Sequence, residues 1–210
     1  MPCRVLIVDD QMIPRQLFEN TVAMSDRYTL TAALDSAAMA DAWCAGGLVD
    51  LIIMDIVTND GTSGLEVARR IKRSYPEIRI VLVTSMPDAL FLKQAREIGA
   101  DSFWYKELQS APLLEVMDRT MAGERVWPEH PPEKLLGTAK SSEFTERELD
   151  VLRLLASGMS DREIAEQLHL SFNTVRYHVD NLMRKTGQGS RTGLAVSAVL
   201  SGIIVPGIGS

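Results

Sequence analysis

The chain has 210 residues, 46% of them hydrophobic and 24% charged, with a net charge of -6. These values describe a globular protein and exclude a disordered or collagen-like one; the length suits two domains of ordinary size. The two cysteines, Cys3 and Cys44, lack a CxxC spacing, which excludes a disulfide scaffold and a thiolate zinc site and leaves them as packing residues.

No run is long and apolar enough to span a bilayer, and Met1 to Asp10 has no signal-peptide pattern, so a cytoplasmic location with no membrane partner is expected. Residues 1–120 hold 12 Lys and Arg against 17 Asp and Glu, whereas residues 141–210 hold 7 against 8. Within the latter, Leu170 to Arg191 carries Arg176, Arg184, Lys185 and Arg191 against Asp180 alone. Any contact with a polyanion is expected in that stretch.

The first element is "RVLIVDD", in which four branched aliphatics run into the adjacent carboxylates Asp9 and Asp10. Two acids side by side repel unless water screens them or a cation neutralises them. The bland reading is a solvated strand end; the sharper one is half of a divalent-metal site. Further short apolar runs follow, "YTLTAAL" at 28–34, "LIIM" at 51–54, "IVLV" at 80–83 and "SFWY" at 102–105. Between them lie segments of helical period such as Leu65 to Tyr75 and Ala89 to Gly99. Strands apolar on both faces that alternate with helices predict a doubly wound parallel sheet of five β-α units, over residues 1–121.

From 122 to 142 the text becomes "AGERVWPEHPPEKLLGTAKSS", read as a linker stiffened by Pro128, Pro131 and Pro132, with Trp127 available to pin it to a domain surface. Residues 143–210 read as a second, all-α domain with helices over Thr145 to Ser157, Asp161 to Leu168, Phe172 to Thr186 and Arg191 to Gly202, and the tail "SGIIVPGIGS" reads only as a helix ended by Pro206.

Ligands of an open parallel sheet bind where the carboxyl ends of its strands emerge. Those ends carry Asp9 and Asp10, Asp55, Thr84 and Lys106. Asp10 and Asp55, with Asp9 through water, offer the hard oxygens that Mg²⁺ prefers, and the metal would relieve the repulsion of the acidic pair. Asp55 is the candidate nucleophile toward phosphorus, while Thr84 and Lys106 are suited to hold phosphoryl oxygens. A phosphate-ester hydrolase is a rival reading, but Val57 stands where a second acid would protonate a leaving group. A binding module indifferent to phosphate is another.

In order and spacing, Asp9, Asp10, Asp55, Thr84 and Lys106 resemble the receiver domain of two-component response regulators. The resemblance implies the flavodoxin-like strand order 2-1-3-4-5, a histidine kinase as phosphodonor to Asp55, a backbone carbonyl of Val57 in the metal site, and Phe103 as the aromatic switch. The chain departs from the family pattern at Asn59, where a proline is usual.

In the second domain, "SDREIAEQLHLSFNTVRYHVDNLMRKT" reads as helix, turn, helix. Ser160 and Ser171 are predicted caps; Ile164, Ala165 and Leu168, then Val175, Val179 and Leu182, form the buried stripes. Off the stripe lie Asn173, Thr174, Arg176, Tyr177, Asp180, Asn181, Arg184 and Lys185, a set suited to phosphates and base edges. The segment from Phe144 to about Gly202 resembles the LuxR-type helix-turn-helix, and the whole resembles the NarL/FixJ regulators. That resemblance implies a recognition helix from Phe172 with Ser171 at its start, double-stranded promoter DNA as a partner, a homodimer formed through the last helix, and a phosphoacceptor that is not itself an enzyme.

Overall fold

The computed structural model describes residues 1–58, 61–106 and 112–204. Asn59, in the loop after Asp55, and Pro206 both lie outside the described residues. The chain divides into two compact units, one of Met1–Ser85 with Ala89–His130 and the other of Pro131–Ser210 with Met86–Asp88.

The first unit runs β1 (Cys3–Val8), α1 (Met12–Ala23), β2 (Tyr28–Leu34), α2 (Ala40–Ala45), β3 (Leu51–Asp55), α3 (Gly64–Ser74), β4 (Arg79–Thr84), α4 (Ala89–Glu97), β5 (Ser102–Tyr105) and α5 (Leu113–Met121). All sheet pairings are parallel and the order is β2-β1-β3-β4-β5. Alternate residues of the central strands build each face. Val5, Ile7, Leu51, Ile53, Val81, Val83 and Trp104 pack with Phe18 and Val22 of α1 and Val116 and Met117 of α5. Their neighbours Leu6, Ile52, Met54 and Leu82 are equally buried, so these strands read as unbroken apolar runs. β2 differs: it is an edge strand, and only Tyr28 is fully buried.

Local signals fix the helix starts near the strand ends. Ser63 accepts the amide N–H of Glu66 and caps α3, whose Leu65, Val67, Ala68 and Ile71 face inward. Because the strands run parallel, their carboxyl ends lie together. This brings Asp9, Asp55, Thr84 and Lys106 to one edge of the sheet.

The second unit contains a hairpin of β6 (Leu135–Leu136) and β7 (Ala139–Lys140), then α6 (Glu146–Ala156), α7 (Asp161–Gln167), α8 (Phe172–Thr186) and α9 (Arg191–Leu200). Ser160 and Glu163 form a capping box on α7, as do Thr145 and Glu148 on α6, and Ser171 caps α8. Ile164, Ala165, Val175, Val179 and Leu182 enter one core with Val151, Leu155 and Leu194.

The linker expected over 122–142 is corrected at both ends. Leu136 and Ala139 of the hairpin belong to the core of the second unit. Gly137 has φ +60°, and a Cβ there would lie 1.9 Å from the carbonyl oxygen of Thr186, so the hairpin abuts the end of α8. Thr138 donates its N–H to that oxygen at 3.2 Å and its hydroxyl to the Lys185 carbonyl at 2.9 Å. At the other end, Val126 and Trp127 lie against β5.

Candidate functional site

Asp9, Asp10 and Asp55 each offer a carboxylate oxygen within 4.8 Å of the others. Asp9 and Asp55 are buried and Asp10 is half-buried. The Lys106 ammonium lies 2.7 Å from Asp9 Oδ2 and 2.6 Å from Asp55 Oδ2. The cation that relieves the acidic repulsion within the chain is thus Lys106, drawn in from the end of β5. Asp9 is further fixed by accepting the Gln11 amide at Oδ1, 3.0 Å, while the Arg15 guanidinium donates to its carbonyl at 2.7 Å. Arg15 escaped the sequence reading because it stands on α1, separated from Asp9 by the turn.

Burial pushes the Asp55 carboxyl up to about 6 and Asp9 adds to the rise; the Lys106 charge and hydrogen bond oppose it. The Val57 amide also helps hold the carboxylate, donating to Oδ1 at 3.3 Å. Positive charge beside Asp55 therefore favours its anionic form against burial.

Thr84 is buried at the end of β4, where its carbonyl accepts the Lys106 amide at 2.9 Å. Phe103 is buried on the same face of the sheet, since Leu82 pairs with Phe103 and Thr84 with Tyr105. Its ring meets Tyr105 edge-on at 4.9 Å and stacks on Trp127 at 6.3 Å.

Gly64 has a role that its turn chemistry did not reveal. A Cβ there would lie 1.9 Å from the carbonyl oxygen of Asp55, and its N–H donates to the Ile56 carbonyl at 3.0 Å. The start of α3 thus rests on the backbone of Asp55 itself.

On α8, Asn173, Arg176, Tyr177, Asp180 and Arg184 are exposed, and Tyr177 retains 62% of its surface. Thr174 is half-buried and its N–H goes to Ser171 Oγ at 3.1 Å; Asn181 accepts from Arg184 at 2.6 Å. Lys185 stands apart from this group. Its ammonium lies 2.8 Å from Glu148 Oε2 and donates to the Glu143 carbonyl at 3.0 Å. It braces α8 against α6, a task that its place off the apolar stripe did not announce.

The chain matches the model of the response regulator receiver domain over residues 5–118 and that of bacterial regulatory proteins of the luxR family over residues 142–198. It is similar to the response regulator protein VraR of Staphylococcus aureus (strain NCTC 8325 / PS 47), 28% identical over 209 residues, covering 97% of this chain and 100% of VraR. Among solved structures, a LuxR-family two-component response regulator from Aurantimonas sp. SI85-9A1 superposes with a TM-score of 0.56 at 25% identity, covering 60% of this chain and 89% of that one. RcsB from Salmonella enterica serovar Typhimurium, bound to promoter rprA, gives a TM-score of 0.58 at 20% identity, covering 93% and 97%. The likeness to RcsB is one of fold. Among the described residues no helix is long and apolar enough to cross a membrane.

Proposed function

The chain belongs to the response regulators, a receiver domain joined to a luxR-type DNA-binding domain, and on that premise we propose that Asp55 is the residue through which phosphate gates its transcriptional role. The supporting observation is the Lys106 ammonium held between Asp9 and Asp55 at 2.7 and 2.6 Å within the three-carboxylate cluster. A buried anionic nucleophile with a cation beside it is what attack on a phosphoryl group requires.

In the proposed step an Asp55 oxygen forms a bond to phosphorus while the phosphorus–nitrogen bond of a histidine kinase's phosphohistidine breaks. The electron pair of that bond returns to the imidazole nitrogen. Lys106 and Thr84 hold phosphoryl oxygens as charge builds on them. Asp9, Asp10, Asp55 and the Val57 carbonyl are the groups that would hold Mg²⁺; the closeness of three hard oxygen donors suits that ion, and when bound it supplies further positive charge to the phosphoryl oxygens. With Val57 two residues past Asp55, no side-chain acid stands at that place to drive turnover, so the chain is read as a phosphoacceptor and not as an enzyme.

The polar face of α8, with Ser171, Asn173, Thr174, Arg176, Tyr177, Asp180, Asn181 and Arg184, is the surface we assign to promoter DNA, with Lys185 at its edge tied to Glu148, and α9 to a homodimer on that DNA. Val196, Val199 and Leu200 leave an apolar strip on α9, with Leu200 82% exposed, which supports a partner surface. A cytoplasmic protein phosphorylated by a kinase accords with this reading.

Asp55→Asn tests it. Labelling by radiolabelled acetyl phosphate with Mg²⁺ is expected to be stoichiometric in the native chain and absent in the variant. Base-labile label at full stoichiometry on Asp55→Asn would overturn the assignment.

A further inference from the structure

The letters of α8 suggest a cationic face, yet most of the charges on and beside it are engaged. The Lys185 ammonium lies 2.8 Å from Glu148 Oε2. Arg184 donates to Asn181 Oδ1 at 2.6 Å, and Arg191, at the start of α9, is held by Asp161 and the Met159 carbonyl. Arg176 and Asp180 differ from these. Both are exposed, and neither has an ion pair or side-chain hydrogen bond among the described residues. Standing four apart, they share one stretch of the helix surface, with the cation N-terminal to the anion, the weaker order for a helical pair. The middle of α8 therefore presents one unengaged guanidinium and one unengaged carboxylate, with the exposed Tyr177 between them.

A carboxylate is a liability on a surface that meets DNA. Every phosphate it approaches repels it, so it lowers affinity for all duplexes by the same electrostatic route through which lysine and arginine raise it. Only a base edge that donates a hydrogen bond compensates for this. In the major groove guanine offers two acceptors, and thymine an acceptor and a methyl group. Adenine sets its N7 acceptor beside its amine, so a carboxylate meets attraction and repulsion together. Cytosine alone presents an amine donor and no acceptor. We propose that Asp180 is a specificity-determining residue of the α8 face, selecting cytosine at one position of the promoter site and weakening binding wherever another base stands there. The proposal rests on the reading of α8 as the DNA surface. Specificity is a difference of affinities, and here the penalty on wrong sites contributes to it as well as the bond to the right one. Arg176, one turn earlier, offers the opposite chemistry, donors suited to the two acceptors of guanine. The two side chains together answer both halves of a G·C edge, which an all-cationic face cannot do.

The full chain, treated with acetyl phosphate and Mg²⁺, is used to select duplexes from a random library. Dissociation constants at one low salt concentration are then measured on the selected duplex, on versions carrying each other base at every position, and on a scrambled duplex. The native chain is expected to prefer cytosine at one position by about five- to fiftyfold, the usual cost of a mismatched pair. Asp180 is exposed, so its substitution leaves the core of the second unit in place. Asp180→Ala is expected to abolish that preference, and Asp180→Asn to turn it to adenine, whose N6 and N7 an amide pairs together. On the scrambled duplex both variants are expected to bind about two- to tenfold tighter than the native chain, because the repulsion between like charges is gone. A cytosine preference unchanged in both variants would overturn the proposal and leave α8 as the DNA surface. So would equal weakening of both variants on selected and scrambled duplexes. Binding to every duplex unmoved by Asp180→Ala and by Arg176→Ala alike would overturn the assignment of DNA to α8, and the proposal with it.

Discussion

The two candidate regions are built on opposite terms. The acid site gathers Asp9, Asp55, Thr84 and Lys106 from four strand ends and buries Asp9, Asp55 and Thr84. The α8 face takes Arg176, Tyr177 and Asp180 from neighbouring turns of one helix and leaves them exposed. Phosphoryl chemistry gains from desolvation, because charges act more strongly where water is excluded and their positions are fixed in advance. Reading DNA requires side chains that reach outward, with stability supplied by the other side of the same helix. One site should therefore fail when backbone packing shifts by a fraction of an ångström, and the other when single side chains are shortened.

The sharpest test of this contrast is Gly64→Ala. The added Cβ, 1.9 Å from the Asp55 carbonyl oxygen, cannot be relieved by rotating a side chain, so either α3 or the end of β3 must move. We expect a loss of about 3 kcal/mol, the upper part of the usual range for overpacking, and at least a tenfold fall in acetyl phosphate labelling. Thermal unfolding and labelling of the same preparation measure both. Native labelling in a fully stable Gly64→Ala protein would show that the Asp55 backbone is less constrained than the geometry says.

Gly137→Ala applies the same insult to the second unit, where the Cβ meets the Thr186 carbonyl at 1.9 Å and φ is +60°. A cost of about 2 kcal/mol is expected, with weaker DNA binding in gel-shift titrations and unchanged labelling at Asp55. Loss of labelling in this variant would break the separation of the two regions.

Much of this contrast was legible in the sequence, for unequal reasons. The five strands are plain because strands buried on both faces leave unbroken runs such as "LIIM", and the acids stand out because charge abruptly follows them. The helices of the second unit announce themselves through serine and threonine caps and a regular apolar stripe. The β6-β7 hairpin was hidden because two residues per strand are too few to show a period of two. Gly64 and Gly137 were illegible in a different sense: a glycine's letter reports conformational freedom, whereas these two exist to admit another segment's carbonyl. The ion pair of Lys185 with Glu148 was not legible because a cation off the stripe looks the same whether it faces phosphate or a carboxylate on the next helix.

For the exposed face, Arg176→Ala is expected to cost about 1 to 3 kcal/mol on a cognate duplex and much less on a scrambled one if the guanidinium reads a guanine. Titrations on the two duplexes at one salt concentration decide. Equal losses on both would move Arg176 to the backbone contacts and leave base reading to its neighbours on α8.

The smallest expected effect concerns Lys185 and separates bracing from DNA contact. Glu148 is buried, and burial alone would raise its carboxyl; the Lys185 ammonium, the Thr145 N–H and the Thr145 hydroxyl outweigh this and hold it below its ordinary 4.5. A carboxyl depressed in the folded state binds its proton more tightly when unfolded. Its contribution is therefore fully present above the unfolded value and is lost as pH falls through the lower folded one. Lys185→Met removes the principal cation while leaving the burial penalty, so the folded value rises toward or past the unfolded one and the decline on acidification shrinks or vanishes. Since the lysine side chain is 33% exposed, solvent screening limits the loss at neutral pH to about 1 kcal/mol. Urea unfolding of the native chain and of Lys185→Met between pH 3 and 7 measures both quantities. A variant as stable as the native chain at every pH, yet weaker on all duplexes, would return Lys185 to the DNA backbone and dissolve the brace.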